Sequence, residues 1–207
     1  MNTTSSATDT TNPITTIIPT GGDMTTTAHT TDTTPRVWIG CLHHYNSGYL
    51  VGHWFDAATA DEVTLADVHE GSGLDCAECE ELWVFDHENI PVRGEFGVLE
   101  ATEWGGVYEE VDPEQWPAVY AWVESGSYVA EGTGDLPSIS DFEESYCGAW
   151  ESFEDYALEV ADLIGLLTDV PEEIANYFDW DSWTRDLAFD YRVHDNPEGG
   201  VFVFRNM

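Results

Sequence analysis

Cys76 and Cys79 stand at the C-x-x-C spacing of paired zinc thiolates, with His69 and His87 nearby in sequence. A structural zinc site takes four ligands, and these histidines form no second C-x2-C or H-x3–5-H pair. The expected state is therefore two free cysteines near a loop. His43 and His44 fall in a segment that reads as strand, where at most one of two successive side chains faces the core. No ligand role is expected for either. Carboxylates could act as general acid and base, but forty-one Asp and Glu residues leave no pair standing out. A glycosidase-like pair also needs two carboxylates in different environments. There is no Walker-type glycine loop, no H-E-x-x-H, no G-x-S-x-G and no Ca2+ loop of D-x-[DN]-x-[DN]-G form. These readings point away from an enzyme and from any cofactor.

The acids matter first as a field. Against them stand only Arg36, Arg93, Arg185, Arg192 and Arg205, with no lysine, giving a formal net charge of −36 over 207 residues. Solubility asks for a net charge of roughly 2–8 in a small domain, and larger excesses push the compact state apart. Either a very salty solvent or a function that needs a dense negative surface must compensate.

Composition divides the chain near residue 35. Residues 1–34 hold fifteen threonines, three aspartates, no aromatic residue and no basic one. Such a stretch buries too little surface to offset its ordering entropy and reads as a disordered tail. It has neither the basic start nor the apolar run of a secretory signal, and no segment reaches the ~20 apolar residues of a membrane span. A cytoplasmic protein with reduced thiols is expected. Residues 35–207 carry all nine tryptophans, nine tyrosines and nine phenylalanines together with a net charge of −33. That is ample material for a folded core.

The elements that must position these groups read as follows. Arg36–Tyr45 and Tyr49–Phe55 form a hairpin around Asn46-Ser47-Gly48. Thr59 and Glu62 make a capping box for a helix from about Ala60 to Glu70. Glu81–His87 is a strand. Asp112-Pro113-Glu114-Gln115 opens a helix that runs to about Ser125, and Ser138–Cys147 holds a short acidic helix. Ser152 opens a helix to about Leu167, with Phe153, Tyr156, Ala157, Val160, Leu163, Ile164 and Leu167 on its apolar face. Two short helices over Pro171–Phe178 and Asp181–Phe189 precede a closing hairpin, Tyr191–His194 with Val201–Arg205. The order is strand-rich, then helix-rich, then a hairpin, which predicts an α+β fold. The expected subdomains are residues 35–100 (α+β), 101–150 (mainly helical) and 151–207 (α+β).

On the helix after Ser152, Glu151/Asp155 and Asp155/Glu159 are like-charge i,i+4 pairs, each costing about 0.2–0.5 kcal/mol. Glu80-Glu81, Glu109-Glu110, Glu143-Glu144 and Glu172-Glu173 repeat the theme. B-DNA carries one charge per ~1.7 Å of axis, so 33 charges match roughly 56 Å of duplex. A compact body of this length has a diameter of about 40 Å. Matching DNA at full density therefore asks for an elongated molecule or a charge confined to one long face.

From Pro35 onward the chain resembles the ArdA antirestriction family. The opening TPRVWIGCLHHYNSGYLVGHWFDA (Thr34–Ala57) is similar to its first strand–turn–strand, and ELWVFDHE (Glu81–Glu88) to its next strand and acidic turn. AWESFEDYALEVAD (Ala149–Asp162), IANYFDWDSWTRDL (Ile174–Leu187) and GGVFVFRN (Gly199–Asn206) match three further motifs in the same order. The Thr-rich tail has no counterpart in the resemblance. Cys76 and Cys79 sit in a variable loop, and Asn89-Ile90-Pro91 replaces the family's glycine-aromatic.

The resemblance implies an elongated acidic homodimer of small α+β subdomains. Its carboxylates would stand in for the phosphates of bent B-DNA in the groove of type I restriction–modification enzymes, against the specificity and methyltransferase subunits. No catalysis, cofactor, nucleic acid or membrane is involved. The carboxylates expected to carry this are Glu109, Glu110, Asp112, Glu143, Glu144, Glu151, Glu154, Asp155, Glu159 and Asp162. Two other classes fit the charge: an ordinary protein adapted to molar salt, and an acidic adaptor of basic proteins.

Overall fold

The computed structural model describes residues 32–75, 77–131 and 135–206. The tail reading for residues 1–34 lies outside these, except for its last three residues. Asp32 and Thr34 offer backbone carbonyls to the Asn89 side-chain amide at 3.2 and 3.0 Å.

The first sheet is antiparallel, in the order β2-β1-β3, from β1 (Arg36–Cys41), β2 (Gly52–Asp56) and β3 (Leu82–Glu88). Val37, Ile39 and Cys41 alternate along β1 toward the core and are fully buried. The hairpin expected here is present, but its strands are shorter than read. After Cys41 the chain turns into a one-turn helix, α1 (Leu42–Asn46), and His43 and His44 lie on it rather than on a strand. His44 is buried and His43 exposed.

Between β2 and β3 the expected helix from Ala60 is displaced. A 3-10 segment, Ala57–Glu62, starts one turn earlier, because the Asp56 carboxylate accepts from the Ala58 amide. Helix α2 (Leu65–Val68) follows. The capping box belongs to Thr64 and Asp67, not to Thr59 and Glu62: each side chain accepts from the other's backbone N–H. Val63 separates the two pieces in extended conformation.

Helix α3 (Val98–Glu109) was not foreseen. Its buried residues include Ala101, Trp104 and Gly105 at helical spacing, but two of these three are small, so the sequence shows no strong apolar stripe. It packs on the 3-10 segment, and Gly105 makes the approach possible. Helix α4 (Trp116–Glu124) begins three residues later than expected, with Gln115 rather than Asp112 at its N-cap. Asp112 to Gln115 instead form turns, with the Asp112 carboxylate accepting from the Glu114 amide at 3.0 Å.

A two-residue ladder joins β4 (Ala130–Glu131) to β5 (Leu136–Pro137). Helix α5 (Ile139–Ser145) is capped by Ser138, whose hydroxyl accepts from the Asp141 amide. Strand β6 (Tyr146–Trp150) follows where the helix was expected to continue. Gly148, at φ +104°, lies within the register shift between Tyr146 and Ala149. After α6 (Phe153–Leu163), α7 (Glu172–Ala175) and α8 (Trp180–Leu187), β7 (Tyr191–Asp195) and β8 (Val201–Arg205) close the chain. The second sheet is antiparallel in the order β6-β8-β7.

The expected α+β class is what the chain adopts, with helices and two three-stranded antiparallel sheets. One apolar cluster runs from Val37 through Trp104, Trp116, Trp122 and Phe142 to Phe204. Phe142 stacks on Tyr146 at 5.0 Å and meets Trp122 edge-on at 5.7 Å, which joins α4 and α5 to the second sheet. Each large aromatic so buried contributes about 1.5–3 kcal/mol. Among the described residues no helix is long and apolar enough to cross a membrane.

Candidate functional site

The ten singled-out carboxylates lie on three helices and the turns that flank them. Glu109 ends α3, Glu110 caps it, and Asp112 opens the following turn. Glu143 and Glu144 lie in the last turn of α5. Glu151 precedes α6, which carries Glu154, Asp155, Glu159 and Asp162. All ten are exposed.

Local chemistry explains only some of these positions. Ser152 caps α6 by accepting from the Asp155 amide at 3.2 Å, and its hydroxyl donates to the Asp155 carboxylate at 2.5 Å. Glu154 and Asp155 sit at the positive end of the helix dipole, where an anion gains about 0.3–1 kcal/mol. Glu109, Glu143, Glu144 and Asp162 sit at the opposite ends, where the dipole repels them, and no basic residue occupies the last turn of α3, α5 or α6. These acids cost stability where they stand.

The arginines do not relieve them. The ion pairs among the described residues are Arg93–Glu124 at 3.1 Å and Arg185–Asp186 at 3.2 Å, all on exposed side chains, and neither involves the ten. Arg36 lies over the Trp54 ring at 5.6 Å. Arg192 donates to Asn206 and Ser127. Among the residues whose burial is described, no Asp or Glu is buried, and only Glu100 and Asp141 are half-buried. None therefore lies in an apolar pocket of the kind that keeps a carboxyl protonated for acid catalysis. Hydrogen bonds at turns and caps lower the pKa values of Asp32, Asp67 and Asp179, with Thr34, Thr64 and Ser182 as partners.

A family model described as "Antirestriction protein (ArdA)" matches residues 37–202. The chain belongs to the ArdA antirestriction family. No match is found among curated proteins. The ArdA match covers the strand–turn–strand, α6, α8 and most of the closing hairpin, the segments on which the resemblance rests.

Two features of this ArdA chain differ from the sequence reading. Leu163 and Ile164, expected on the apolar face of α6, are 75% and 61% exposed. The helix ends at Leu163, and the turn at Gly165 (φ +65°) carries the chain away from the core. Tyr156 and Ala157 of the expected face are buried, joined by Ala161, and the Ala157 carbonyl accepts from the Trp183 indole at 3.4 Å. The second difference concerns the cysteines. Cys76 lies outside the described residues, and His87 packs on Phe96 with ring centres 5.1 Å apart. Cys79 converges instead with Cys41, His44 and His69.

Proposed function

We propose that this chain is a non-catalytic mimic of B-DNA that occupies the DNA-binding groove of type I restriction–modification enzymes in the cytoplasm. The observation that carries the reading is the set of exposed, unpaired carboxylates at the dipole-repelled ends of α3, α5 and α6. Acids kept where they destabilise their own helices are explained by what they meet outside the chain. The target would present Lys and Arg placed for phosphates, on its specificity and methyltransferase subunits, and binding would be collective and salt-dependent. Family membership supplies the antirestriction role; the carboxylate distribution supports the manner. The chain would act as a homodimer. Exposed Leu158, Leu163, Ile164, Ile174, Tyr177 and Phe189 on the C-terminal helices and turns support an apolar contact with a second copy.

The test mixes purified protein with a type I enzyme already bound to fluorescent DNA. Stoichiometric release of DNA, without nucleotide or metal consumption, is expected. DNA that stays bound at several-fold molar excess of the protein rules the reading out.

A second reading draws on the absence of lysine and on acids that occur on most elements. Such a surface also suits molar salt, where the Debye length is ~3 Å and self-repulsion is screened. Melting against KCl separates the two.

A further inference from the structure

Cys41, His44, His69 and Cys79 each place one ligand atom in a cluster whose members all lie within 4.8 Å of one another. Cys41 ends β1, and His44 follows three residues later on α1. His69 is the C-cap of α2, and Cys79 lies just before β3. Cys41, His44 and Cys79 are buried and His69 is half-buried. Nδ1 of His44 stands 3.3 Å from Cys41 Sγ, 3.4 Å from Cys79 Sγ and 3.2 Å from His69 Nε2. Cys79 Sγ stands 3.7 Å from His69 Nε2.

Hydrogen bonding alone does not account for this convergence. An imidazole nitrogen carries either one proton or one lone pair, so Nδ1 of His44 does not satisfy three such neighbours at once. One cation at the centre satisfies all four atoms, each turning a lone pair inward. The distances agree. Zinc bonds of about 2.3 Å to sulfur and 2.0–2.1 Å to nitrogen give a tetrahedron with edges of about 3.4 Å (N to N) and about 3.6 Å (S to N). The four N–N and S–N edges given above fall within about 0.3 Å of these values; the two remaining edges, from Cys41 Sγ to Cys79 Sγ and to His69 Nε2, lie within 4.8 Å. The ring orientation agrees as well. His69 donates from Nδ1 to the Leu65 carbonyl at 2.7 Å, which leaves the lone pair on Nε2, facing the cluster. A backbone carbonyl in that role is the usual outer partner of a zinc-bound histidine.

We propose that these four side chains form a Cys2His2 site for a structural zinc ion. Two thiolates balance the charge of the ion, so the site is neutral and suited to burial, whereas no described carboxylate is buried. Zinc is favoured over harder cations by the two sulfur and two nitrogen donors. The site ties the end of β1 and α1 to α2 and to the approach to β3. Among the described residues between β2 and β3, the regular elements are a 3-10 segment, on which α3 packs, and a four-residue helix. A metal clip across so long a connection restricts the unfolded chain strongly.

The test uses the full chain, expressed with zinc in the medium and kept reduced. Elemental analysis is expected to find one zinc per chain. After chelation, Co2+ alone should give the intense visible absorption of a tetrahedral site and a thiolate-to-cobalt charge-transfer band. Cys41→Ser and His69→Ala should each lose the band, whereas Cys76→Ser and Cys147→Ser should keep it. Absence of both zinc and the cobalt spectrum in the unsubstituted protein overturns the proposal. So does a weak octahedral spectrum, which would mean binding by surface carboxylates, or loss of the band on Cys76→Ser. The spectra of the unsubstituted chain decide whether a tetrahedral site exists even if a variant fails to fold, and circular dichroism of Cys76→Ser checks that a lost band is not lost folding.

Discussion

A Cβ atom added to Gly105 would stand 2.3 Å from both the Cα and the backbone nitrogen of Ala58. This contact seats α3 on the 3-10 segment, and α3 in turn carries Glu109 and leads into Glu110 and Asp112. Backbone, not a flexible side chain, blocks the space. Gly105→Ala should therefore destabilise the fold by at least the 1–3 kcal/mol typical of overpacking, about a lower bound here. Urea unfolding at constant salt measures it; an unchanged midpoint would show that α3 docks elsewhere.

Glu159→Gln should raise stability. It removes the i,i+4 repulsion from Asp155, worth about 0.2–0.5 kcal/mol in dilute buffer. The gain should vanish near 1 M KCl, where the Debye length is ~3 Å. Thermal melts across a KCl series read this effect and also separate the two readings of the charge. A mimic is folded near 0.15 M KCl, and a protein adapted to high salt unfolds below about 1 M.

Inhibition should fall in graded fashion as acids are neutralised. Any one of Glu151, Glu154, Asp155, Glu159 and Asp162 changed to its amide should alter inhibition of a type I enzyme little. Four together should weaken it clearly. A single position whose loss abolishes inhibition would contradict a distributed surface. Circular dichroism of the multiple variant checks that α6 still forms.

Mild acid should destabilise the fold through His87 and His194. Burial lowers the pKa of His87, with Asp86 opposing. Burial also lowers that of His194, with Arg192 adding to the effect and Asp195 opposing it. Both fold with their neutral form favoured, whereas the unfolded chain titrates near ~6.5. Between the folded and unfolded values the unfolded state holds more protons, so stability falls as pH drops through that window. Urea midpoints at pH 7.5 and 5.5 should differ less in a His87→Gln, His194→Gln variant than in the unsubstituted chain.

Much of this is legible in the sequence. The closing hairpin was readable because Gly199 and Gly200 sit between two runs of strand-forming residues. The cap of α6 was readable because Ser152 and Asp155 form a local pair that no tertiary contact has to supply. Helix α3 was hidden because Ala101 and Gly105 on its buried side are too small to mark a stripe, and its paired glycines argue against a helix. The exposure of Leu163 and Ile164 was equally hidden, since periodicity shows which residues share a face but not where the helix stops. The convergence of Cys41 and His44 was lost through one misread element. On a strand, residues three apart point to opposite faces; on a helical turn they lie on the same side. Asn89 was noticed as a departure from the family's glycine, and its φ of +60° gives the reason: asparagine tolerates the left-handed region better than most residues.

The separation of carboxylates from the core has a consequence for how such a chain changes over time. No Asp or Glu is among the described buried residues that form the cluster around Trp104, Trp116 and Trp122. Acids can therefore be lost at one exposed site and gained at another without repacking anything, provided the field they sum to persists. Two descendants could keep the same inhibitor while sharing few surface positions. Their ancestry would then be written in glycines, tryptophans and strand registers, and hardly at all in the residues that meet the target.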